Sequence, residues 1–375
     1  MQTQAFIAVT AQPVPYYADT TTIFNTLCQP NSNSLLLDSA EIGSKNSLQS
    51  LILVNAAVKI TCLGHDVTFK ALNENGKQVL KEIHPKLTAL GKISAVNFDD
   101  EFSVQFSPLD NQLDEDSKLQ SATIFDGLRV VSTLYQHSQT PIFLGGLFAY
   151  DLVANFIPMD GITLQNDGIS CPDYSFYLAE HLITIDHQNQ QATLKSFCFA
   201  QEEQVNIAKT SLSIAQKLKN IDNVLSIKAA SDEVKTNFDD PEFTGIVKAL
   251  KHHIDIGDVF QIVPSRRFSL ACPNTLASYA QLKQNNPSPY MFYMNDEDFI
   301  LFGASPESAL KYEPENRQLE IYPIAGSRPR GFDAHGNIDP ELDARLELEL
   351  RLDHKEQAEH LMLVDLARND IARVC

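Results

Sequence analysis

LQSLILVNAAVKITCLGHDVTFKAL, residues 48–72, decides the fold. Its second half alternates apolar and polar residues, the two-residue period of a strand with one buried face, and Gly64-His65-Asp66 supplies turn chemistry in the middle. The stretch is therefore predicted to be a β-hairpin, whose strands pair antiparallel. The pattern recurs downstream. DYSFYLAEHLITIDHQNQQATLKSFCF (173–199) reads as a second hairpin turning at HQNQQ. PIFLGGLFAYDLVANF (141–156) reads as a strand kinked at Gly145-Gly146, where close packing explains the glycines better than a ligand does. Further strands are expected in VFQIVPSRRF (259–268), in the aromatic run after NNPSP (285–289), in DFILFGASPESALKYE (298–313) and in QLEIYPIAGSRPRG (318–331). Helices are expected over Gln78–Leu90, broken by Pro85, over Gln201–Asn223, from Asp240-Pro241 to a stop at Gly257, and from Glu341 to Ile371. The acidic segment DNQLDEDSKLQS (110–121) reads as a solvated loop ahead of a helix. The expected fold class is α+β, with large, mainly antiparallel sheets flanked by helices. SIKAASDEVKTNFDDPEF (226–243) is polar and carries Pro241, which places a boundary between an N-terminal region 1–225 and a C-terminal region 226–375.

The chain has 375 residues, enough for two domains or one large body, and a net charge of −19. That charge argues against nucleic acid or an anionic membrane surface as partner, but leaves room for a small anion at a local cluster such as Arg328 and Arg330. The six cysteines (28, 62, 171, 198, 272, 375) are scattered, as reduced thiols in a cytosolic protein would be. The start, MQTQAFIAVTAQPVPYY, has neither a basic opening nor a long apolar run, so no signal peptide is expected, and no window approaches the ~20 apolar residues of a membrane span. GxGxxG, P-loop, HExxH and GxSxG motifs are absent, and GFDAHGNIDPELDA (331–344) fails the calcium-loop spacing.

Chemistry concentrates in the last helix, DHKEQAEHLMLVDLARNDIARV (353–374). Glu356 and Glu359 stand three apart and so leave one face of it, a stripe continued by His360, Leu363 and Ala367. With Leu361, Val364 and Leu366 pointing elsewhere, the helix reads as apolar nearly all round and buried. Two carboxylates there need a partner, because desolvating unpaired charge is costly. A hard divalent cation such as Mg2+ is one answer, and a face neutralised by Lys355 and Arg368 is the other. Gln261 reads either as an outward polar residue of a strand or as a functional one. Gly326, the Ser327 hydroxyl, Arg328 and Arg330 suit a ligand carboxylate, or form an ordinary solvated loop. In LLLDSAEI (35–42), Asp38 and Ser39 close an apolar run, as a turn or as partners for a ligand amine.

Six segments, LLLDSAEI (35–42), FQIVPSRRF (260–268), NPSPYMFYM (286–294), FGASPES (302–308), IYPIAGSRPRG (321–331) and EQAEHLMLVDLARNDIARV (356–374), together resemble the chorismate-utilising enzymes, and among them the large subunits (component I) of anthranilate synthases. They follow the family's order across nearly the whole chain. The resemblance implies a synthase that adds ammonia to chorismate, giving aminodeoxyisochorismate, then eliminates pyruvate to leave anthranilate. Members that add water have a lysine base where this chain has Gln261, and aminodeoxychorismate synthases have a nucleophilic lysine where it has Ala325. By the same resemblance Glu359 is the ligand of Mg2+, which holds the ring carboxylate. Glu356 is the catalytic glutamate, and Gly326 and Ser327 meet chorismate, with Ser327 replacing the usual threonine. Ser39, Pro289, Tyr290 and Met291 match a tryptophan feedback pocket, next to Asp38 in place of the commoner glutamate. Coupling of that pocket to catalysis would need two states that bind the two ligands differently. A glutamine amidotransferase subunit is the implied partner, in a cytoplasmic heterotetramer. Family members continue past the point matching Cys375 with a second metal-binding glutamate, a histidine and a GTLSGAPK-like stretch. None of these occurs here, so the expectation is a truncated component I, inactive as it stands, with too few Mg2+ ligands and exposed strand edges. The alternatives are a non-catalytic tryptophan- or partner-binding remnant, which would bind tryptophan without chorismate, and an aminodeoxychorismate synthase, which Ala325 disfavours.

Overall fold

The computed structural model describes residues 4–29, 31–39, 48–97, 100–110, 112–157, 159, 171–221 and 233–375. Residues 40–42 of the LLLDSAEI segment and residues 226–232 of the SIKAASDEVKTNFDDPEF segment lie outside them. The first half contains β1 (Ala8–Val14), α1 (Thr20–Cys28), β2 (Ser34–Asp38), β3 (Gln49–Leu63), β4 (Asp66–Ala71), α2 (Glu74–Leu87), β5 (Lys92–Asn97) and β6 (Glu101–Gln105). It continues with α3 (Glu115–Gln120), α4 (Asp126–Leu134), β7 (Leu144–Phe148), β8 (Tyr174–Asp186), β9 (Gln191–Cys198) and α5 (Gln204–Leu218). Both expected hairpins form, β3 with β4 and β8 with β9. β3 also pairs with β8 along most of its length, through register shifts between Leu53 and Val58. α2 starts earlier than expected because Asn73 caps it, its side chain accepting from the Gly76 N–H. Pro85 does not break it, since in the last turn it forfeits a single hydrogen bond.

The second half contains β10 (Lys235–Thr236), α6 (Asp240–Asp255), β11 (Phe268–Ser269), α7 (Thr275–Asn285), β12 (Tyr290–Asn295), β13 (Ile300–Ser305), β14 (Lys311–Glu313), β15 (Gln318–Glu320), α8 (Pro340–Leu352) and α9 (His354–Ala372). Eleven strands of the described residues form one sheet with a central order β1-β9-β8-β3-β2-β12-β13, and every ladder is antiparallel. The sheet runs across the expected 225/226 boundary, because β12 bonds directly to β2.

Alternation along the strands loads both faces of the sheet. Leu35, Leu53 and Leu182 join one apolar cluster, completed by Val79, Leu80 and Ile83 of α2 and Val131 of α4. Their neighbours Leu36, Ile52 and Ile183 join the other, completed by Ile23 and Phe24 of α1, Ile214 of α5 and Tyr279 of α7. The glycine pair serves packing, as its context suggests: a Cβ on Gly146 would sit 2.0 Å from the Ser175 carbonyl oxygen.

Three sequence expectations are corrected. VFQIVPSRRF forms no strand beyond Phe268, and Phe260 and Val263 are 90% and 83% exposed. Its β-branched and aromatic residues favour extension, but a strand needs a neighbour, and only β10 pairs there. IYPIA likewise lies outside β15, which ends at Glu320. The helix from 341 is two helices, interrupted at Asp353, which caps the second.

Candidate functional site

Asp353 accepts hydrogen bonds from the backbone N–H of Lys355 (3.0 Å) and Glu356 (3.2 Å) and so starts α9 afresh. Glu356 and Glu359 follow on one face, both half-buried, with Leu363 and Ala367. His360 is exposed, and no residue of α9 is fully buried. The expected burial of this helix is thus corrected: Leu361 and Leu366 are 68% and 57% exposed, because no described element covers their side.

Glu356 faces the loop after β15. Gly326 has a φ of +67°, open to glycine at little cost, and a Cβ there would lie 2.5 Å from Glu356 Oε2. Arg328 folds back onto the same carboxylate. Its Nη1 donates to the Ser327 carbonyl (2.9 Å) and to Glu356 Oε1 (3.3 Å), and its Nη2 donates to Asp353 Oδ2 (2.9 Å). Arg330 grips Asp343 with two 2.8 Å bonds. Both arginines, read as candidates for a ligand carboxylate, are therefore engaged by carboxylates of the chain itself. The cation that neutralises Glu356 is Arg328 rather than Arg368, which lies 3.9 Å from Asp365. On the far side of the loop, Glu307 Oε1 accepts from the Ile324 N–H (3.2 Å), tying the FGASPES turn to it.

Gln261 reaches α9 from the irregular segment after α6, its Nε2 donating to Glu359 Oε1 at 3.1 Å. Gly326, Glu356, Gln261 and Glu359 are thereby joined through one helix face, and the exposed Ser327 side chain stands beside them. Among the described residues no group of three or more His, Cys, Asp or Glu could hold a metal. Since Glu356 is committed to Arg328, Glu359 is the carboxylate open to a cation. One carboxylate is at the low end for Mg2+, as the sequence leads one to expect, and the rest of its shell would come from waters and substrate oxygens.

The second group of expected residues meets where the two halves of the chain join. Ser39 Oγ donates to the Pro289 carbonyl (3.1 Å), and the β2–β12 ladder sets Asp38 opposite Met291. Tyr290, next to both, is partly exposed, whereas Met291 is buried. Sequence reasoning missed what surrounds Asp38. Its buried carboxylate accepts from Thr20 Oγ1 and Ser50 Oγ, each at 2.6 Å, from the Ser39 N–H at 3.0 Å, and from Lys283. Burial works to raise the Asp38 pKa, but Lys283 and the hydroxyls outweigh it and hold the group below the usual carboxylate range. Ser50 gives its proton to Asp38, so its 2.8 Å contact with His187 Nε2 requires that nitrogen to be the donor. No local signal marks Lys283 or His187, since their partners lie 245 and 137 residues away.

Comparison with known proteins gives the family. A family profile described as chorismate binding enzyme matches residues 80–375, and the chain belongs to that family. Its curated relatives are more specific. A protein named anthranilate synthase component 1 from Haemophilus influenzae is 96% identical over 375 residues, all of this chain and 72% of that protein. Its namesake from Vibrio cholerae is 51% identical over 96% of this chain and 69% of its own length. Among solved structures, anthranilate synthase component I from Streptococcus pneumoniae superposes with a TM-score of 0.58 at 22% identity, over 89% of this chain and 63% of that one. The menaquinone-specific isochorismate synthase of Escherichia coli gives 0.55 at 15% identity, over 96% and 63%. At these identities the two structures speak for the fold alone, the large antiparallel sheet with flanking helices. Among the described residues no helix is long and apolar enough to cross a membrane.

Proposed function

We propose that this chain is the chorismate-binding part of an anthranilate synthase, which converts chorismate and ammonia to anthranilate and pyruvate, the first committed step of tryptophan synthesis. The observation that carries this reading is Gln261 bonded to Glu359, on the helix face that meets a loop bearing Ala325. A lysine at either position could serve as base or nucleophile once desolvated, whereas an amide and a methyl group cannot. The nucleophile is then external, and ammonia fits. The 96% identity to a component 1 supports the same reading.

Within it, Gly326 and Ser327 receive chorismate, and Glu356 is the catalytic carboxylate placed to hold or move a proton. Glu359, oriented by Gln261, is the ligand of Mg2+. When bound, the metal supplies Lewis-acid polarisation of the ring carboxylate. Ammonia comes from glutamine through a separate amidotransferase subunit in the cytoplasm. Tryptophan inhibits from a pocket at Ser39, Pro289, Tyr290 and Met291, a reading supported by the Ser39–Pro289 contact between halves. Residues 1–225 carry most of the regulatory role and 226–375 the residues for chorismate, the two ranges sharing one sheet through β2 and β12. In the complete enzyme, chorismate, Mg2+ and an ammonium salt are expected to yield anthranilate, followed by its fluorescence. Accumulation of isochorismate or aminodeoxychorismate in its place would overturn the assignment.

A further inference from the structure

We propose that Arg328 is a positioning residue for this reaction, bolting the substrate loop to the first turn of α9 and thereby aiming Glu356. The inference rests on the functional reading above, and three observations carry it.

First, a single guanidinium reaches three groups that have to move together. It donates to the Ser327 carbonyl at 2.9 Å on the loop, to Glu356 Oε1 at 3.3 Å on the helix and to Asp353 Oδ2 at 2.9 Å on the helix cap. Second, the Asp353 carboxylate is divided between two tasks. Oδ1 caps α9 through the N–H groups of Lys355 and Glu356, and Oδ2 takes Arg328. The orientation of the first helical turn and that of the loop are thus set by the same carboxylate. Third, the contacts differ from those of a plain surface pair. The side chains of Arg328 and Glu356 are only 22% and 19% exposed, and the Glu356 carboxylate sits so close to Gly326 that a Cβ there would have to displace it or the loop. A lone exposed ion pair contributes little, but a half-buried fork that hydrogen-bonds two carboxylates and a carbonyl, with Glu349 a third carboxylate 3.7 Å away, restricts geometry as well as charge.

The chemistry needs arginine in particular. A guanidinium is planar and presents several donors in fixed directions, whereas a lysine ammonium is a compact point charge on a flexible stem. Lysine at 328 would keep the charge and most of the packing while losing the simultaneous hold on Ser327, Glu356 and Asp353. Because Arg328 acts through Glu356, its loss should appear in turnover more than in substrate capture.

The test compares R328K and R328A with wild type in the complete enzyme, using ammonium as nitrogen source so that the amidotransferase is bypassed. R328K keeps charge and stem and so reports on geometry even if R328A is poorly folded. For R328K, kcat is expected to fall by about tenfold or more, the scale of a misplaced catalytic group, while the KM for chorismate stays within about threefold. In R328A, added guanidinium is expected to restore part of the lost turnover. An unchanged kcat in R328K, or a loss confined to KM, would overturn the positioning role. Failure of the wild type itself to make anthranilate would instead overturn the functional reading, so the two failures are distinguishable.

Discussion

Asp296→Ala is expected to cost the fold about 3–5 kcal/mol, the range for removing one partner of a buried ion pair. Asp296 lies in the tight connection between β12 and β13, its side chain 1% exposed. It accepts from Lys59 Nζ of β3 at 2.8 Å, from the Asp298 N–H at 3.1 Å and from the Tyr177 hydroxyl of β8. The alanine variant would strand the Lys59 ammonium, only 9% exposed, without its close counter-charge. It would also release the Tyr177 phenol, whose pKa is pushed upward by burial and then by the neighbouring carboxylate. The second half of the chain is keyed into the first at this point, so the loss falls on the joint between them. Nearby, Glu297 pairs with Lys70 at 2.9 Å and Asn295 Nδ2 donates to the Asn31 carbonyl at 2.6 Å. Urea denaturation of the variant should show a lowered midpoint with little change in slope. Tyr177→Phe, which removes one hydrogen bond to the charged carboxylate and leaves the pair intact, should cost about 2 kcal/mol. Equal costs for the two variants would contradict this view of Asp296.

Gly326→Ala is expected to lower ammonia-dependent turnover by about a hundredfold, because misplacement of a catalytic group by about 1 Å has that scale. The added methyl carbon would start 2.5 Å from Glu356 Oε2 and 3.1 Å from the Leu350 side chain. Either the carboxylate swings away or the loop retreats, and both separate Glu356 from the surface meant for chorismate. A left-handed φ adds strain for any residue with a Cβ. Stability should change far less than turnover, since the loop lies at the margin of the fold. Steady-state kinetics alongside thermal melting distinguishes the two, and near-normal turnover would show that the close approach has no catalytic importance.

Local patterns carried much of the fold. The hairpins at 48–72 and 173–199 are legible because a period of two, interrupted by turn residues, needs no knowledge of distant partners. The pairing of β2 with β12 is not legible that way, since strands about 250 residues apart meet only when the sheet assembles. Gln261 shows the limit of propensity. Its neighbours favour extension, but without a neighbouring strand the segment stays irregular, and Gln261 is left to reach Glu359. The face shared by Glu356 and Glu359 follows from helical spacing alone, whereas the approach of Gly326 was anticipated only through the family resemblance. The ties of Arg328 are not legible locally, because an arginine in a polar loop looks free until the helix 25 residues later is in place. An Asp-x-x-Glu start to the last helix, Asp353 to Glu356, was the available hint that the cap and the first-turn carboxylate act as a unit.

Titration calorimetry of the complete enzyme with chorismate, with and without Mg2+, in wild type and Glu359→Gln, bears most directly on whether the α9 face and the 326 loop form one metal-dependent chorismate site. Chorismate is expected to bind wild type with Mg2+ present, to bind much more weakly without it, and to be insensitive to Mg2+ in the variant. Equal, Mg2+-dependent binding by both proteins would contradict that arrangement.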